Sequence, residues 1–270
     1  LGQEDIPHVL GGAISRSEDE VLIKEDLKAF LLSQYKPDNL TESEANQIIK
    51  RLEIYSSSDL YESNKAIMKL ISDGFALKRE DRSQKDIWIY LIDYNESNNN
   101  TYKIVNQLEI VGYQRRIPDG ILYINGLPLV IFEFKSAIRE NATVHDAYVQ
   151  LTTRYQRDIP ELFKYNAFCV ISDGVNNKAG SFFAPYEFYY AWRKVEGLDN
   201  EVDGIDSMYT LIQGMFNHKR LRDIIRNFIY IPDSSKKDEK IVCRYPQYYA
   251  ANKLVENIKL HQKPHGDGKG

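Results

Sequence analysis

Apolar residues recur at helical spacing through the first part of the chain. The segment 20–35 follows the period of one helix face, and Pro37 ends that helix. Its apolar positions are Leu22, Leu27, Phe30 and Leu31. A second helix is predicted to begin at Thr41, which forms a capping-box pattern with Glu44, and a third stops at Gly74. The first 75 residues are therefore predicted to be mostly helical.

The pattern then changes to short runs of β-branched and aromatic residues. The segments 86–94 and 102–112 are typical of strands, and 166–174 is typical of a buried strand. Two further apolar runs, ILYI and LVIFEF, flank the dipeptide Asn125-Gly126, which is a strong signal for a β-hairpin. A mixture of hairpin strands and helix-flanked strands predicts a mixed sheet.

Later segments return to helical patterns, with one polar break. A helix is predicted up to about Arg157, broken before Pro160. Further helices are predicted over 186–195, 205–216 and 219–229. The sequence as a whole predicts an α/β fold with a mixed central sheet flanked by helices and a helical N-terminal part. The polar, proline-containing segment 231–240 is predicted to be a linker.

Composition narrows the class of protein only slightly. The 270 residues carry 43% hydrophobic and 27% charged residues with a net charge of −4, so contact with nucleic acid requires a local basic surface. Cys169 and Cys243 form no disulfide framework, and the histidines show no metal-ligand spacing. We identify no membrane span or signal pattern, and expect a cytoplasmic protein without a membrane partner.

The hairpin carries charged residues where its apolar strands begin and end. These are Asp119, Glu133 and Lys135. On an extended strand Glu133 and Lys135 share a face and lie about 6–7 Å apart. A three-residue loop would place Asp119 opposite Glu133, whereas a loop of two or four residues would need a bulge to restore that pairing.

These three residue types together indicate metal-dependent chemistry. Two carboxylates beside so apolar a strand repel each other, and their burial is costly unless a cation or a proton lies between them. Oxygen ligands suit Mg²⁺, with Mn²⁺ as a substitute, and a lysine beside the metal can act on a water or a phosphate. Taken singly, the aspartate is also explained as a turn residue and Lys135 as a guard of a sheet edge.

Longer stretches of the chain resemble one family. PDG followed by EFK is similar to the PD-(D/E)xK nuclease pattern. The segments around it, notably IDYNESNNNTYKIVNQLEIVGYQRRIPDG, RYQRDIPELFKYNAFCVISDG and YEFYYAWRKVEG, resemble the restriction (R) subunit of type I restriction-modification enzymes. RYPQYYAANKLVE resembles the glutamine motif that precedes the first helicase motif of that subunit. The resemblance extends through nearly the whole chain.

The resemblance implies that the sequence is a piece of a longer subunit. Residues 1–230 would form the endonuclease domain, with a helical part over about 1–80, an α/β part over about 81–200 and connecting helices over about 201–230. Residues 231–270 would be a linker and the start of a superfamily 2 helicase motor. The terminal GDGKG is not a Walker A loop, and the initial LG is similar to the end of a family helix, so segments at both ends are expected to be missing.

The resemblance also implies a role for individual residues. Asp119, Glu133 and the backbone carbonyl of Phe134 would bind Mg²⁺, and Lys135 would be the catalytic lysine. The family has a supporting glutamine and tyrosine on the next helix in a QxxxY pattern. The candidates here, Gln150 and Tyr155 with Arg154 beside the tyrosine, are one residue further apart than that pattern. Gln247 would read the adenine of ATP, in the full-length subunit only.

The function implied is that of a type I site-specific deoxyribonuclease. The domain would cleave double-stranded DNA with Mg²⁺ after ATP-driven translocation, in a complex with methylation (M) and specificity (S) subunits. One alternative is a docking or scaffold module that couples the motor to the methylase core, with little cleavage of its own. A metal-free hydrolase with a carboxylate pair is a third reading, but it leaves Lys135 without a task.

Overall fold

The computed structural model contains both helices and strands, and it describes residues 1–95, 99–136, 142–195, 206–234 and 237–268. The helices are α1 (Lys24–Gln34), α2 (Glu42–Glu53), α3 (Leu60–Asp73), α4 (Val144–Val149), α5 (Gln156–Asp158), α6 (Pro160–Phe163), α7 (Ser207–Met215), α8 (His218–Asn227) and α9 (Tyr245–His261). A π-helical turn, Gln150–Tyr155, joins α4 to α5. No helix within these ranges is long and apolar enough to cross a membrane.

Twelve strands accompany these helices in the described residues. They are β1 (His8–Leu10), β2 (Phe75–Leu77), β3 (Ile87–Ile89), β4 (Tyr102–Asn106), β5 (Ile110–Val111), β6 (Arg115–Arg116), β7 (Gly120–Ile124), β8 (Leu127–Phe134), β9 (Phe168–Ser172), β10 (Asn177–Gly180), β11 (Ile229–Tyr230) and β12 (Ile241–Val242). Six of them form the main sheet in the order β1-β4-β7-β8-β9-β10.

The main sheet is mixed, as the sequence predicts. β1 pairs with β4 and β8 with β9 in parallel, whereas β4–β7, β7–β8 and β9–β10 are antiparallel. β7 and β9 are buried along their whole length, and β8 is buried up to its last residue. The α/β class with a mixed central sheet is thus confirmed. The strand predicted over 86–94 is shorter and pairs with β2 outside the main sheet.

The helical start of the chain is also confirmed. Thr41 Oγ1 accepts the N–H of Glu44 at 3.1 Å while Glu44 Oε2 accepts the N–H of Thr41 at 3.0 Å, which is the predicted capping box at the start of α2. α3 ends at Gly74, whose φ is 72°. α1 begins at Lys24, four residues later than the periodic segment, and β1 is a strand that the pattern did not reveal.

The hairpin β7–β8 has a two-residue loop, the shortest of the three loop lengths considered from the sequence. Asn125 and Gly126 both have positive φ, 50° and 77°, and form a two-residue turn. A bulge between Leu122 and Tyr123 then shifts the register by one residue. A two-residue loop with a compensating bulge is one of the alternatives that the sequence left open.

Beyond the bulge the register determines where the charged residues meet. Gly120 pairs with Phe132. One residue further along each chain, the same register places Asp119 opposite Glu133. The two-residue turn and the bulge together therefore give the pairing that a three-residue loop would give directly.

The helix predicted over 186–195 is wrong. Tyr186–Phe188 forms a single 3₁₀ turn, and beyond it Tyr190 and Ala179 exchange backbone hydrogen bonds of 2.9 and 3.0 Å. The adjacent Tyr189 is buried with its ring against a glycine of β10. Packing of this aromatic segment on the sheet edge overrides its helical spacing, which is a common failure of local patterns.

The other predicted helices are present. α4 and the π-helical turn run into α5, which ends at Asp158, so the helix is broken before Pro160 as predicted. The short helix α6, which begins at Pro160, was not predicted. α7 and α8 correspond to the helices predicted over 205–216 and 219–229, apart from Ile205, which lies outside the described residues.

The polar segment 231–240 is anchored at its end by a buried lysine. Lys240 is only 2% exposed, and its Nζ donates to Asn64 Oδ1 at 2.9 Å and to the carbonyl of Asn166 at 2.5 Å. Asn64 lies on α3, so the end of this segment is fixed to the helical part of the chain. The domain boundary placed near this segment stays a prediction.

We predict that Gly126→Ala destabilises the fold more than Gly174→Ala. Both glycines have positive φ, 77° and 92°, which costs an L-residue about 1–2 kcal/mol. A Cβ at Gly126 would also lie 2.2 Å from the carbonyl oxygen of Ile23, whereas nothing lies within 4 Å of one at Gly174. Urea unfolding should give a loss about 1–3 kcal/mol larger for Gly126→Ala, because the crowded backbone must move. Equal losses would contradict this account of the turn.

Candidate active site

Five polar side chains converge at one end of the central strands. Asp119 directly precedes β7, Glu133 lies near the end of β8, and Lys135 follows β8 directly. Gln150 and Tyr155 begin and end the π-helical turn that follows α4. The structure thus brings together residues separated by up to 36 positions in the sequence (119 to 155).

Asp119 is fixed to the strands on both sides of it. Its Oδ2 accepts the backbone N–H of Phe134 at 2.7 Å, and its carbonyl accepts Asn106 Nδ2 at 2.8 Å. Lys135, which follows Phe134, donates its N–H to the carbonyl of Ser172 on the β9 side, at 2.7 Å. Since successive peptide groups of a strand face opposite sides, the carbonyl of Phe134 faces the same side as its N–H, toward Asp119.

Glu133 is a carboxylate inside the sheet. Its side chain is 1% exposed, Oε1 lies 3.0 Å from Lys135 Nζ, and Oε2 has no hydrogen-bond partner among the described residues. Burial, and then the charge of Asp119, raise the pKa of Glu133 to about 7, against smaller lowering effects of Lys135 and of the Tyr155 hydroxyl, which lies near this carboxylate but does not form a hydrogen bond of normal geometry with Oε2. Such an oxygen is destabilising unless a cation or another donor is supplied.

Lys135 is held between two oxygens. Besides the 3.0 Å contact with Glu133, its Nζ donates to Gln150 Oε1 at 2.7 Å. The lysine side chain is 16% exposed. β8 lies between β7 and β9 in the sheet, so this lysine follows a central strand and does not guard a sheet edge.

The π-helical turn explains the unusual spacing of Gln150 and Tyr155. Gln150 Nε2 donates to the hydroxyl of Tyr155 at 2.8 Å, and that hydroxyl donates to the carbonyl of Ile117 at 3.4 Å. Hydrogen bonding from residue i to i+5 inserts one extra residue into a helix and brings positions five apart onto one face. The spacing of five residues, one more than in QxxxY, is the sequence signal for this turn.

Two residues named from the sequence lie elsewhere. Arg154 is exposed, and no hydrogen bond or ion pair joins it to the cluster in the described part of the chain. Gln247 lies on α9, where its Oε1 accepts the backbone N–H of Arg244 at 2.9 Å and caps that helix. The ATP-related role of Gln247 stays a prediction.

Asp158 is a residue of this region that the sequence did not reveal. Its carboxylate is 1% exposed and accepts Arg116 Nε at 2.7 Å and Arg157 Nε at 2.6 Å. These guanidinium groups, Arg157 first, hold the pKa of Asp158 down at about 2. Its carbonyl accepts the N–H of Tyr113 at 2.8 Å. Asp158 therefore fastens the end of α5 to the segment that leads to Asp119, a non-local contact with no signal in the local pattern.

The donor set at this site fits a hard cation. Two carboxylates and a backbone carbonyl, those of Asp119, Glu133 and Phe134, are all oxygen ligands, which Mg²⁺ and Mn²⁺ prefer. The unpartnered Oε2 of Glu133 is the observation in favour of such an ion. In the described ranges no group of three or more His, Cys, Asp or Glu side chains could hold a metal.

Comparison with known proteins relates the chain to restriction enzymes. The family Type I restriction enzyme R protein N terminus matches residues 1–188. The Type I restriction enzyme HindI endonuclease subunit of Haemophilus influenzae is 34% identical over 234 residues, covering 84% of this chain and 22% of that protein. A Methanocaldococcus jannaschii protein, provisionally named type I restriction enzyme MjaIXP endonuclease subunit, is 31% identical over 238 residues, with coverage of 80% and 22%. The chain spans about a fifth of the length of these relatives.

Without divalent cations, we predict that Glu133→Gln stabilises the chain increasingly as the pH rises. The pKa of Glu133 is raised from 4.5 to about 7 in the fold, beside Asp119, Lys135 and Tyr155. Between these values the folded state binds more protons than the unfolded state, so stability is lost as pH rises through that window. The glutamine variant lacks this loss, which is on the order of 2–3 kcal/mol.

The measurement is urea unfolding at several pH values in the presence of a chelator. The exposed Glu187 provides a matched control, because Glu187→Gln makes the same substitution at the surface, away from Asp119 and Lys135. Parallel curves for wild type and Glu133→Gln would show that the carboxylate is not raised in pKa by burial.

Proposed function

The chain belongs to the family of type I restriction enzyme R proteins, and on that premise we propose that its α/β part is a Mg²⁺-dependent endonuclease domain. The domain has a PD-(D/E)xK nuclease fold in this proposal. Its reaction is hydrolysis of phosphodiester bonds in double-stranded DNA, which makes the intact subunit a type I site-specific deoxyribonuclease.

One observation carries this proposal. Glu133 is buried, one of its oxygens has no hydrogen-bond partner among the described residues, and the hairpin register places Asp119 opposite. Two carboxylates in such a setting are strained electrostatically, and neither the turn nor the sheet edge explains them. A divalent cation relieves the repulsion and the missing coordination together. A buried carboxylate with a strongly raised pKa in a cluster of ionisable groups is also typical of functional sites.

Each residue of the cluster has a task in this proposal. Asp119, Glu133 and the carbonyl of Phe134 hold Mg²⁺, which when bound stabilises the negative charge that develops on the phosphate. Lys135 orients the attacking water and offsets phosphate charge. Gln150 positions Lys135 through the 2.7 Å hydrogen bond, and Tyr155 positions Gln150.

The activity of the whole subunit extends beyond this chain. The relatives named above are endonuclease subunits about five times as long as the aligned region. We propose that the rest of the subunit supplies a superfamily 2 motor that uses ATP, with Gln247 reading the adenine. DNA is then translocated before cleavage, in a complex with M and S subunits.

A docking role is the second candidate. α9 exposes the apolar side chains of Leu254 and Leu260, 61% and 74% exposed, so part of this helix has a surface suited to another protein segment. A module that serves only to couple motor and methylase would retain this surface but would not need a metal. Metal binding by Asp119 and Glu133 therefore separates the two candidates.

We predict that Asp119→Ala abolishes the binding of Mn²⁺ to the chain. Removal of one of two carboxylate ligands leaves too little negative charge for a hard cation. Calorimetric titration of the 270-residue chain with Mn²⁺ measures this, and Glu187→Ala serves as a surface control. Undiminished binding by Asp119→Ala would remove the metal from this site and favour the docking role.

We predict that Lys135→Ala lowers DNA cleavage by the assembled enzyme about 10²–10⁴-fold, because it removes an interaction with the transition state. ATP-driven translocation should continue, since Lys135 belongs to the nuclease cluster. Triplex displacement and gel analysis of the same sample follow translocation and cleavage separately. Cleavage near the wild-type rate would show that Lys135 has no catalytic task.

A further inference from the structure

A small hairpin, β5–β6, presents polar and aromatic side chains beside the candidate active site. Its tip is Gly112–Gln114, and Tyr113 at the tip is 81% exposed. Arg115 follows, with 64% of its side chain exposed even though it forms an ion pair with Glu109. A tyrosine so exposed on a two-strand hairpin packs against nothing in the described chain that explains its position.

The hairpin is held rigidly against the helix that carries Gln150 and Tyr155. The N–H groups of Tyr113 and Gln114 both donate to the carbonyl of Asp158, at 2.8 and 3.4 Å. Arg116 binds the carboxylate of the same residue at 2.7 Å. A Cβ at Gly112 would lie 2.3 Å from that carbonyl, so the tip approaches the helix end as closely as glycine allows. Tyr113 and Arg115 are therefore displayed from a fixed backbone.

The hairpin is also close to the reacting groups. Arg115 precedes Asp119 by four residues, so their Cα atoms lie at most about 14 Å apart, the length of four base-pair steps of about 3.4 Å. Arg154 lies one helical turn before Asp158, where the hairpin is attached, and its side chain is exposed.

Arginines are concentrated on the hairpin and on the helix that holds it, although the chain is acidic overall. The chain has a net charge of −4. The hairpin and the helix that holds it carry four arginines and two acidic residues, which are Arg115, Arg116, Arg154, Arg157, Glu109 and Asp158. On the side of Val111 and Gly112 the neighbours also include Asp19, Glu20 and Glu161. Arg116 and Arg157 are taken up by Asp158. Arg115 is 64% exposed although it is paired with Glu109, and Arg154 is exposed with no hydrogen bond or ion pair in the described residues, so both side chains can reach a phosphate backbone.

We propose that Tyr113, Arg115 and Arg154 form a surface that holds the DNA backbone against the active site; we call it the hairpin surface. Arg115 and Arg154 bind phosphates near the bond that is cut, and the Tyr113 ring packs on a sugar. This deepens the proposed function, on which it rests only in taking double-stranded DNA as the substrate. Asp158 is the positioning residue of this surface.

The test measures binding of the 270-residue chain to a fluorescent duplex of about 30 base pairs by anisotropy, over about 25–200 mM KCl. A chelator removes divalent cations, so the measurement is independent of the metal site. The plot of log K against log salt has a negative slope. The double variant Arg115→Ala/Arg154→Ala should make this slope shallower by about 2, since each lost phosphate contact contributes about 0.9. Arg115→Lys/Arg154→Lys should keep the slope, because lysine retains the charge.

Tyr113→Ala distinguishes the non-ionic contact from the ionic ones. It should weaken binding about five- to tenfold without changing the salt slope, because the ring carries no charge. Arg82→Ala, a matched loss of an exposed arginine on the connection between β2 and β3, should change neither quantity. Circular dichroism confirms that each variant is folded.

Two results would overturn the proposal. One is a wild-type chain that does not bind the duplex even at the lowest salt. The other is an affinity within twofold of wild type and an unchanged slope for the arginine double variant. Neither result depends on Mn²⁺ binding. If only the nuclease assignment fails, the wild-type chain does not bind Mn²⁺, but its binding to DNA still depends on the hairpin surface. A failed hairpin surface appears as normal metal binding with DNA binding insensitive to these variants.

Discussion

The site depends on one physical constraint, a carboxylate that is buried within an apolar sheet. Glu133 lies near the end of β8 between β7 and β9 and is almost inaccessible to solvent. The ammonium of Lys135 partners one of its oxygens and leaves the other without a hydrogen bond in the described part of the chain. The neighbouring residues form a chain of hydrogen bonds that starts at this carboxylate: Lys135 contacts Glu133, Gln150 accepts from Lys135, and Gln150 donates to Tyr155. The stability lost at Glu133 is the kind of cost found where function requires it.

Two one-residue irregularities bring the cluster together. The bulge at Leu122/Tyr123 resets the register of the hairpin, and the π-helical turn brings Gln150 and Tyr155 into hydrogen-bond contact. With a two-residue turn, a hairpin without the bulge would move Glu133 out of register with Asp119, and a regular α-helix would not bring positions five apart onto one face. Bulges and π-helical turns are frequent at functional sites for this reason. The geometry is thus set by backbone departures from regularity as much as by the residues themselves.

The sequence predicted what local patterns determine. The mixed sheet and the turn at Asn125-Gly126 follow from periodicity and turn chemistry, and the resemblance to a nuclease pattern singled out Asp119 and Glu133, which the hairpin register places opposite each other. The pairing of these two residues could not be predicted with certainty, because it depends on the bulge, and the sequence alone left several loop lengths open. The family pattern also pointed to Gln150, although its spacing disagreed until the π-helical turn accounted for the extra residue.

Contacts between distant segments were beyond the sequence. The segment 186–195 has helical spacing, yet its aromatic side chains pack on β10 and its backbone pairs with Ala179. Lys240 appears in a polar run typical of a linker but is buried against α3. The carboxylate of Asp158 likewise accepts hydrogen bonds from arginines of two elements, Arg116 of β6 and Arg157 of α5. In each case a tertiary partner decides the outcome, and no local pattern contains it.

The central claim is that Asp119 and Glu133 hold a divalent cation. Its most direct test is a crystal structure of the chain grown with Mn²⁺, with data collected at a wavelength where manganese scatters anomalously. We expect one anomalous peak bounded by these two carboxylates and the carbonyl of Phe134, with the Oε2 atom of Glu133 among the ligands. Well-ordered side chains at this site with no anomalous peak between them, at saturating Mn²⁺, would contradict the account.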